Sequence, residues 1–163
     1  MSNNYKESFD QIKIPGSLAA EALDEVTSYV KPGVTTAKLD KICYEFIRDN
    51  GGHSAPLYYR GFPKSSCTSV NHVVCHGIPA DKYLKEGDIV NIDVTSIVNG
   101  WHGDTSRMFF VGEVSVKSKK LVSATYNSMM KAISIIKSGT YLGDIGEAIQ
   151  TYVEEKGFSV VRD

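Results

Sequence analysis

The segment Ile89–Val111 constrains this chain more than any other, because it reads as one β-hairpin whose register is set by two residues. Asn99-Gly100 lies between two runs of alternating apolar and polar residues. Both residues accept the positive φ of a type I′ turn, whose twist matches that of the strands it joins. A two-residue loop pairs Val98 with Trp101, Thr95 with Asp104 and Asp93 with Ser106. Residues two apart on a strand share a face, as do residues directly opposite across an antiparallel pair. One face then carries Asn91, Asp93, Thr95, His102, Asp104 and Ser106, and the other Val90, Ile92, Val94, Trp101 and Phe109. Asp93 and Asp104 become diagonal neighbours, with Cβ atoms less than roughly 8 Å apart. A three-residue loop or a bulge would reverse one strand's parity and send the two carboxylates to opposite faces.

Two adjacent carboxylates repel each other, and burial worsens the repulsion. Two readings of the polar face stay open on pattern alone. It is either a solvated surface or a place where cations lie between the acids and reverse the sign of the interaction. Paired metal ions sit about 3.5–4 Å apart, a gap that diagonal carboxylates can bridge. Oxygen and imidazole donors suit manganese, iron(II), cobalt or zinc.

The rest of the chain is organised around this hairpin. Leu18, Ala19, Ala22, Leu23, Val26 and Val30 recur at helical spacing from Pro15 to Tyr29, and Pro32-Gly33 ends that run. Thr36 is placed to cap a second helix with Leu39, Ile42, Cys43, Phe46 and Ile47 on one face, stopped by Gly51-Gly52. Residues 53–111 read as strands and turns. Helical period returns over Ser118–Lys137 and Leu142–Lys156, with Gly157 as a stop, and Val160-Val161 reads as the start of a strand. Lys31–Gly51 aligns without gaps on Lys137–Gly157, an offset of 106 residues. Each copy follows another amphipathic helix. This suggests a duplication, although any two amphipathic helices share periodicity. The expected organisation is a single domain over residues 1–163, C-terminally incomplete. Its first αβ repeat covers about 14–111, and its second begins at about 118 and is cut off.

Composition narrows the function classes. A net charge of −1 with 23% charged residues argues against a nucleic-acid binder. No apolar run approaches the ~20 residues of a membrane span, and the N-terminus has no apolar signal core. Cys43, Cys67 and Cys75 are odd in number and lack CxxC spacing, so reduced thiols in a cytoplasmic protein are expected, without a zinc–thiolate site. Cys43 is expected to pack in a helical core, Cys75 to be buried in a strand, and Met129-Met130 to be core. His53 and His72 are expected on surface loops, and His102 beside Asp104 as a neighbour or an exposed residue. His76, alone in its turn, has no assigned role on pattern.

Four segments together resemble the bacterial type I methionine aminopeptidases: Gly61–Cys67, Val73–Pro79, Gly87–Thr95 and Gly103–Ser106. The flanking helices fit as well, so the resemblance covers nearly the whole chain. It implies an α+β pita-bread fold, an antiparallel curved sheet with helices outside, in which two halves enclose a site for two divalent metal ions. This chain would be the N-terminal half and the start of the second. The resemblance implies that Asp93 chelates one metal, that Asp104 bridges both, and that Thr95 supports Asp104. His76 would hydrogen-bond the substrate at the scissile amide, and Tyr59, Phe62 and Cys67 would line a methionine pocket. The implied activity is removal of the initiator methionine from nascent polypeptides, in the cytoplasm, with the ribosome as an expected setting, by a monomer without nucleic-acid or membrane partners. Arg60 stands where relatives often have histidine, and Pro56 where some have cysteine. The family's further histidines and two glutamate ligands are absent from this sequence and are expected after Asp163, so the 163-residue chain alone is expected to be inactive. A proline-specific pita-bread peptidase and a non-catalytic binding module are the alternatives.

Overall fold

The computed structural model describes residues 5–162. The chain divides at Val114 and Ser115 into two compact units. The first holds α1 (Tyr5–Thr27), α2 (Thr36–Asp49) and the strands β1 (His53–Ser54), β2 (Cys67–Val70), β3 (Ile89–Val98) and β4 (Trp101–Phe110). The second holds α3 (Val116–Ser134) and α4 (Leu142–Glu155).

All strand pairings are antiparallel and converge on β3. Strand β4 pairs along its whole length, while β1 and β2 share the opposite edge. The hairpin register matches the expectation throughout: Val98 opposes Trp101, Thr95 opposes Asp104 and Asp93 opposes Ser106. Asn99 and Gly100 have φ of 52° and 81°, the left-handed conformation that a type I′ turn requires. Val90, Ile92 and Val94 are fully buried and pack with Phe109 against Leu18, Leu23 and Val26 of α1 and Leu39 and Ile47 of α2. The helices thus cover the apolar face, and the polar face is left for other use.

Helix α1 begins ten residues before the expected start at Pro15. Tyr5, Phe9, Ile12 and Ile14 are exposed, so its first turns bury no stripe that a periodicity argument could detect. Pro15 lies inside the helix, where it lacks an N–H and distorts the ladder. Its carbonyl accepts from the buried Ser96 hydroxyl at 2.8 Å, which ties helix to hairpin. The approach is close enough that a Cβ on Gly103 would lie 2.2 Å from Gly16 N.

The cap of α2 is Thr35, whose side chain accepts from Lys38 N, and not Thr36. Thr36 is the first helical residue. It is buried, and its hydroxyl donates to Ala80 O at 2.9 Å and accepts from Ala80 N at 3.0 Å. Farther along α2, the buried Asp40 accepts at Oδ1 from the amides and hydroxyls of both Ser65 and Ser66, fixing the entry to β2.

In the second unit Ser115 caps α3. The buried stripe of α3 is Ala124, Ser128 and Ala132, so Met129 and Met130 are exposed rather than core. Small residues let this helix approach a neighbour closely, and the methionines lie off that stripe. Shifted by 106 residues, the bounds of α2 fall on those of α4, and the positive-φ glycines Gly33 and Gly51 fall on Gly139 and Gly157. Val160 and Val161 form no strand: among the described residues they enter no strand pairing, and a strand needs a hydrogen-bonded partner.

Candidate active site

A cleft of about 800 Å³ opens on the polar face of the hairpin. It gathers Asp93, Thr95, His102 and Asp104 from the hairpin, Cys67 from β2, and Tyr59 and Phe62 from the loop that follows β1. His76 and Ile78 come from the loop after β2. Every residue singled out from the sequence as a site residue lines this one space.

Strand periodicity places the two acids. Asp93 alternates with the buried Ile92 and Val94, so it must face away from the core. Thr95 donates to Asp104 Oδ1 at 3.0 Å, which orients that carboxyl. Burial, and next the charge of Asp104, raise the pKa of Asp93, while nearby His76 lowers it. No lysine or arginine pairs with either acid among the described residues. Two oxygen donors on one face, close enough to perturb each other and without a lysine or arginine partner, fit a divalent metal. No three histidine, cysteine or acidic side chains among the described residues lie close enough together to hold one metal ion by themselves.

Cys67 opposes Asp93 across β2 and β3 and is 6% exposed. Burial, reinforced by the Asp93 charge, pushes its thiol up to about 11. At neutral pH it is therefore a protonated, apolar wall rather than a thiolate ligand. Tyr59 and Arg60 stand exposed at the rim, with the Arg60 guanidinium 5.4 Å from the Tyr59 ring centre. Tyr58 and Arg60 both have positive φ, so this rim loop holds two non-glycine residues in the left-handed region.

One placement differs from expectation, one matches it and two were missed. Cys75 is exposed in a loop, not buried in a strand, because strand pairing ends at Val70 and the chain turns at Asn71, φ 55°. His102 lines the cleft beside Asp104. Ala55 and Ile78 also line it and carried no signal that pattern could use.

Helices cover the apolar face of the sheet and the paired acids lie on the other. Residues 10–163 match the model of metallopeptidase family M24, and the chain belongs to that family. It is 57% identical over 158 residues to a methionine aminopeptidase of Rickettsia prowazekii, covering 97% of this chain and 61% of that protein. It is 51% identical over 159 residues to one from Escherichia coli K12, covering 96% and 60%. The solved structure of methionine aminopeptidase from Rickettsia prowazekii superposes with a TM-score of 0.95 at 57% identity, covering 97% of this chain and 64% of that one. The chain thus spans about three fifths of the length of the curated relatives it matches.

Proposed function

We propose that this chain provides the methionine pocket and two carboxylate ligands of a metalloaminopeptidase that removes the initiator methionine from nascent polypeptides. The observation that carries this reading is the convergence of Asp93, Asp104 and His76 with an aromatic and thiol wall in a single cleft.

On this reading Asp93 and Asp104 hold two divalent ions, with cobalt, manganese, iron(II) and zinc all suited to the donors. Further ligands come from outside the described residues. Held by Asp93 and Asp104, such ions would supply Lewis-acid chemistry for a water and for the scissile carbonyl. Thr95 fixes the Asp104 carboxyl. Tyr59, Phe62 and the neutral Cys67 take the thioether, for which sulfur and ring faces are favourable partners. His76 hydrogen-bonds the scissile amide and steadies charge that develops there. The matching of α2 to α4 at one fixed offset supports a duplicated αβ unit, the first over about 14–111 and the second from about 118. The expected setting is the cytoplasm, acting as a monomer on emerging chains, at or near the ribosome. No helix among the described residues is long and apolar enough to cross a membrane.

The test is release of methionine from Met-Ala-Ser by the complete gene product loaded with manganese or cobalt. Asp104→Asn should lower kcat/KM at least about 10³-fold, roughly 4 kcal/mol of transition-state stabilisation, and weaken metal binding in calorimetry. An unchanged rate removes Asp104 from the site. Faster cleavage of Xaa-Pro peptides than of Met-Ala-Ser would favour a proline-specific enzyme. Cleavage of neither would favour a binding module.

A further inference from the structure

The geometry points to Ser69 as the positioning residue for His76, and we propose that its hydroxyl latches the His76 loop onto the sheet; this rests on the proposed reading of the site. Strand β2 pairs with β3 through one edge only, with Ser69 opposite Asn91. Its outer edge is taken by Gly77. The amide of Thr68 donates to Gly77 O at 2.8 Å, and the amide of Gly77 donates to Ser69 Oγ at 3.1 Å. Both backbone groups of Gly77 are therefore held by two consecutive residues of β2. Ser69 is 4% exposed, so its hydroxyl is sheltered from water that could replace it.

The contact is tight. A Cβ at position 77 would lie 2.3 Å from Thr68 O, so the loop reaches the strand only because residue 77 is glycine. His76, the residue just before, is exposed and has φ of 54°. That left-handed conformation is unfavourable for a non-glycine residue and persists where neighbours enforce it. The loop is fastened again at Ala80 by Thr36, four residues beyond His76. Before His76, the nearest chain anchors are the turn bond from Val73 N to Val70 O and the bond from the Asn71 amide to Ile89 O. Ser69 therefore supplies the side-chain anchor nearest the imidazole. Without it the Gly77 amide loses its partner, and His76 is free to relax out of the cleft.

The complete, metal-loaded gene product is used for the test. Ser69→Ala is expected to lower kcat for Met-Ala-Ser about tenfold or more, as small misplacements of a catalytic group do, with little change in KM. Ser69→Thr, which keeps the hydroxyl, restores most of the loss. In a His76→Ala background, Ser69→Ala has no further effect, because the group it positions is gone. Hydrogen exchange at the Gly77 amide speeds up in Ser69→Ala whether or not catalysis is measured. Should Ser69→Ala fail to fold, Ser69→Cys keeps the volume, offers a poor acceptor and is expected to show the same changes. An unchanged kcat and Gly77 exchange rate, or a loss that multiplies that of His76→Ala, overturns the assignment. If His76→Ala itself leaves kcat intact, the reading of the active site fails, and faster Gly77 exchange still supports the latch.

Discussion

Asp93 lies half-buried on β3 with the Asp104 carboxyl beside it, and burial together with that neighbour makes it harder to ionise in the folded chain than in the unfolded one. The protonated form is thus favoured by folding. The stability it contributes is fully present below the ordinary value of 3.8 and is lost as pH rises through the raised folded-state value. Metal-free protein should accordingly unfold at lower urea as pH rises out of the carboxylate range. Asp93→Asn should flatten that dependence and raise the neutral-pH midpoint, and divalent manganese should raise the midpoint of the wild type but not of the variant. A variant less stable than wild type without metal would contradict the account. The thiols give a second check. Burial pushes Cys43 up to about 12 and Cys67 up to about 11, whereas Cys75 is exposed. A disulfide reagent at neutral pH should therefore titrate one thiol quickly in the native chain and all three only after denaturation. Three fast thiols would show that the buried pair is accessible.

At the scale of elements, the hairpin was the most legible part of the sequence. Strand parity leaves no freedom once Asn99-Gly100 fixes the loop, so every pair from Ile89–Phe110 to Val98–Trp101 follows from one turn. Helix ends were less legible. Two adjacent threonines can each cap α2, and burial of Thr36 against Ala80 decides in favour of Thr35. Pro15 reads as a helix start because proline is at home in a first turn, yet here the Ser96 bond and the Gly103 contact hold a helix that runs through it. That contact is testable. Gly103→Ala must push α1 from the hairpin, because its new methyl would meet backbone at 2.2 Å. The expected cost is about 1–3 kcal/mol in urea unfolding. A substitution that leaves the midpoint unmoved would mean that the two elements do not touch as described.

Across the whole molecule, burial is unevenly spread. The first unit contains the large buried side chains, including Leu23, Leu39, Ile47, Leu84 and Ile92. In the second, α3 buries only Ala124, Ser128 and Ala132, and α4 buries nothing fully. Local opening free energy follows buried apolar contact. In the 163-residue chain, amides of α3 and α4 should exchange faster than those of α2 and β3, and equal protection would refute this. The hairpin and the helices could be read from the alternation and periodicity of the sequence, because both record burial directly, whereas the pita-bread class came from the resemblance. The cleft could not be read that way. Its far wall, Tyr59 to Phe62 with His76 and Ile78, lies on loops whose residues bury no periodic face. Only resemblance to a known family drew Tyr59, Phe62 and His76 to the hairpin acids, and it left Ile78 out.

The turn that sets the carboxylates also carries a chemical liability. An asparagine followed by glycine is the dipeptide most prone to close a succinimide, since nothing shields the glycine nitrogen, and both residues are exposed at the hairpin tip. Reopening of that ring to isoaspartate threads one additional carbon through the main chain. In a loop only two residues long, that carbon has nowhere to go except into the strands. Ageing of this protein would then begin about five residues from Asp104, at a position that takes no part in the chemistry.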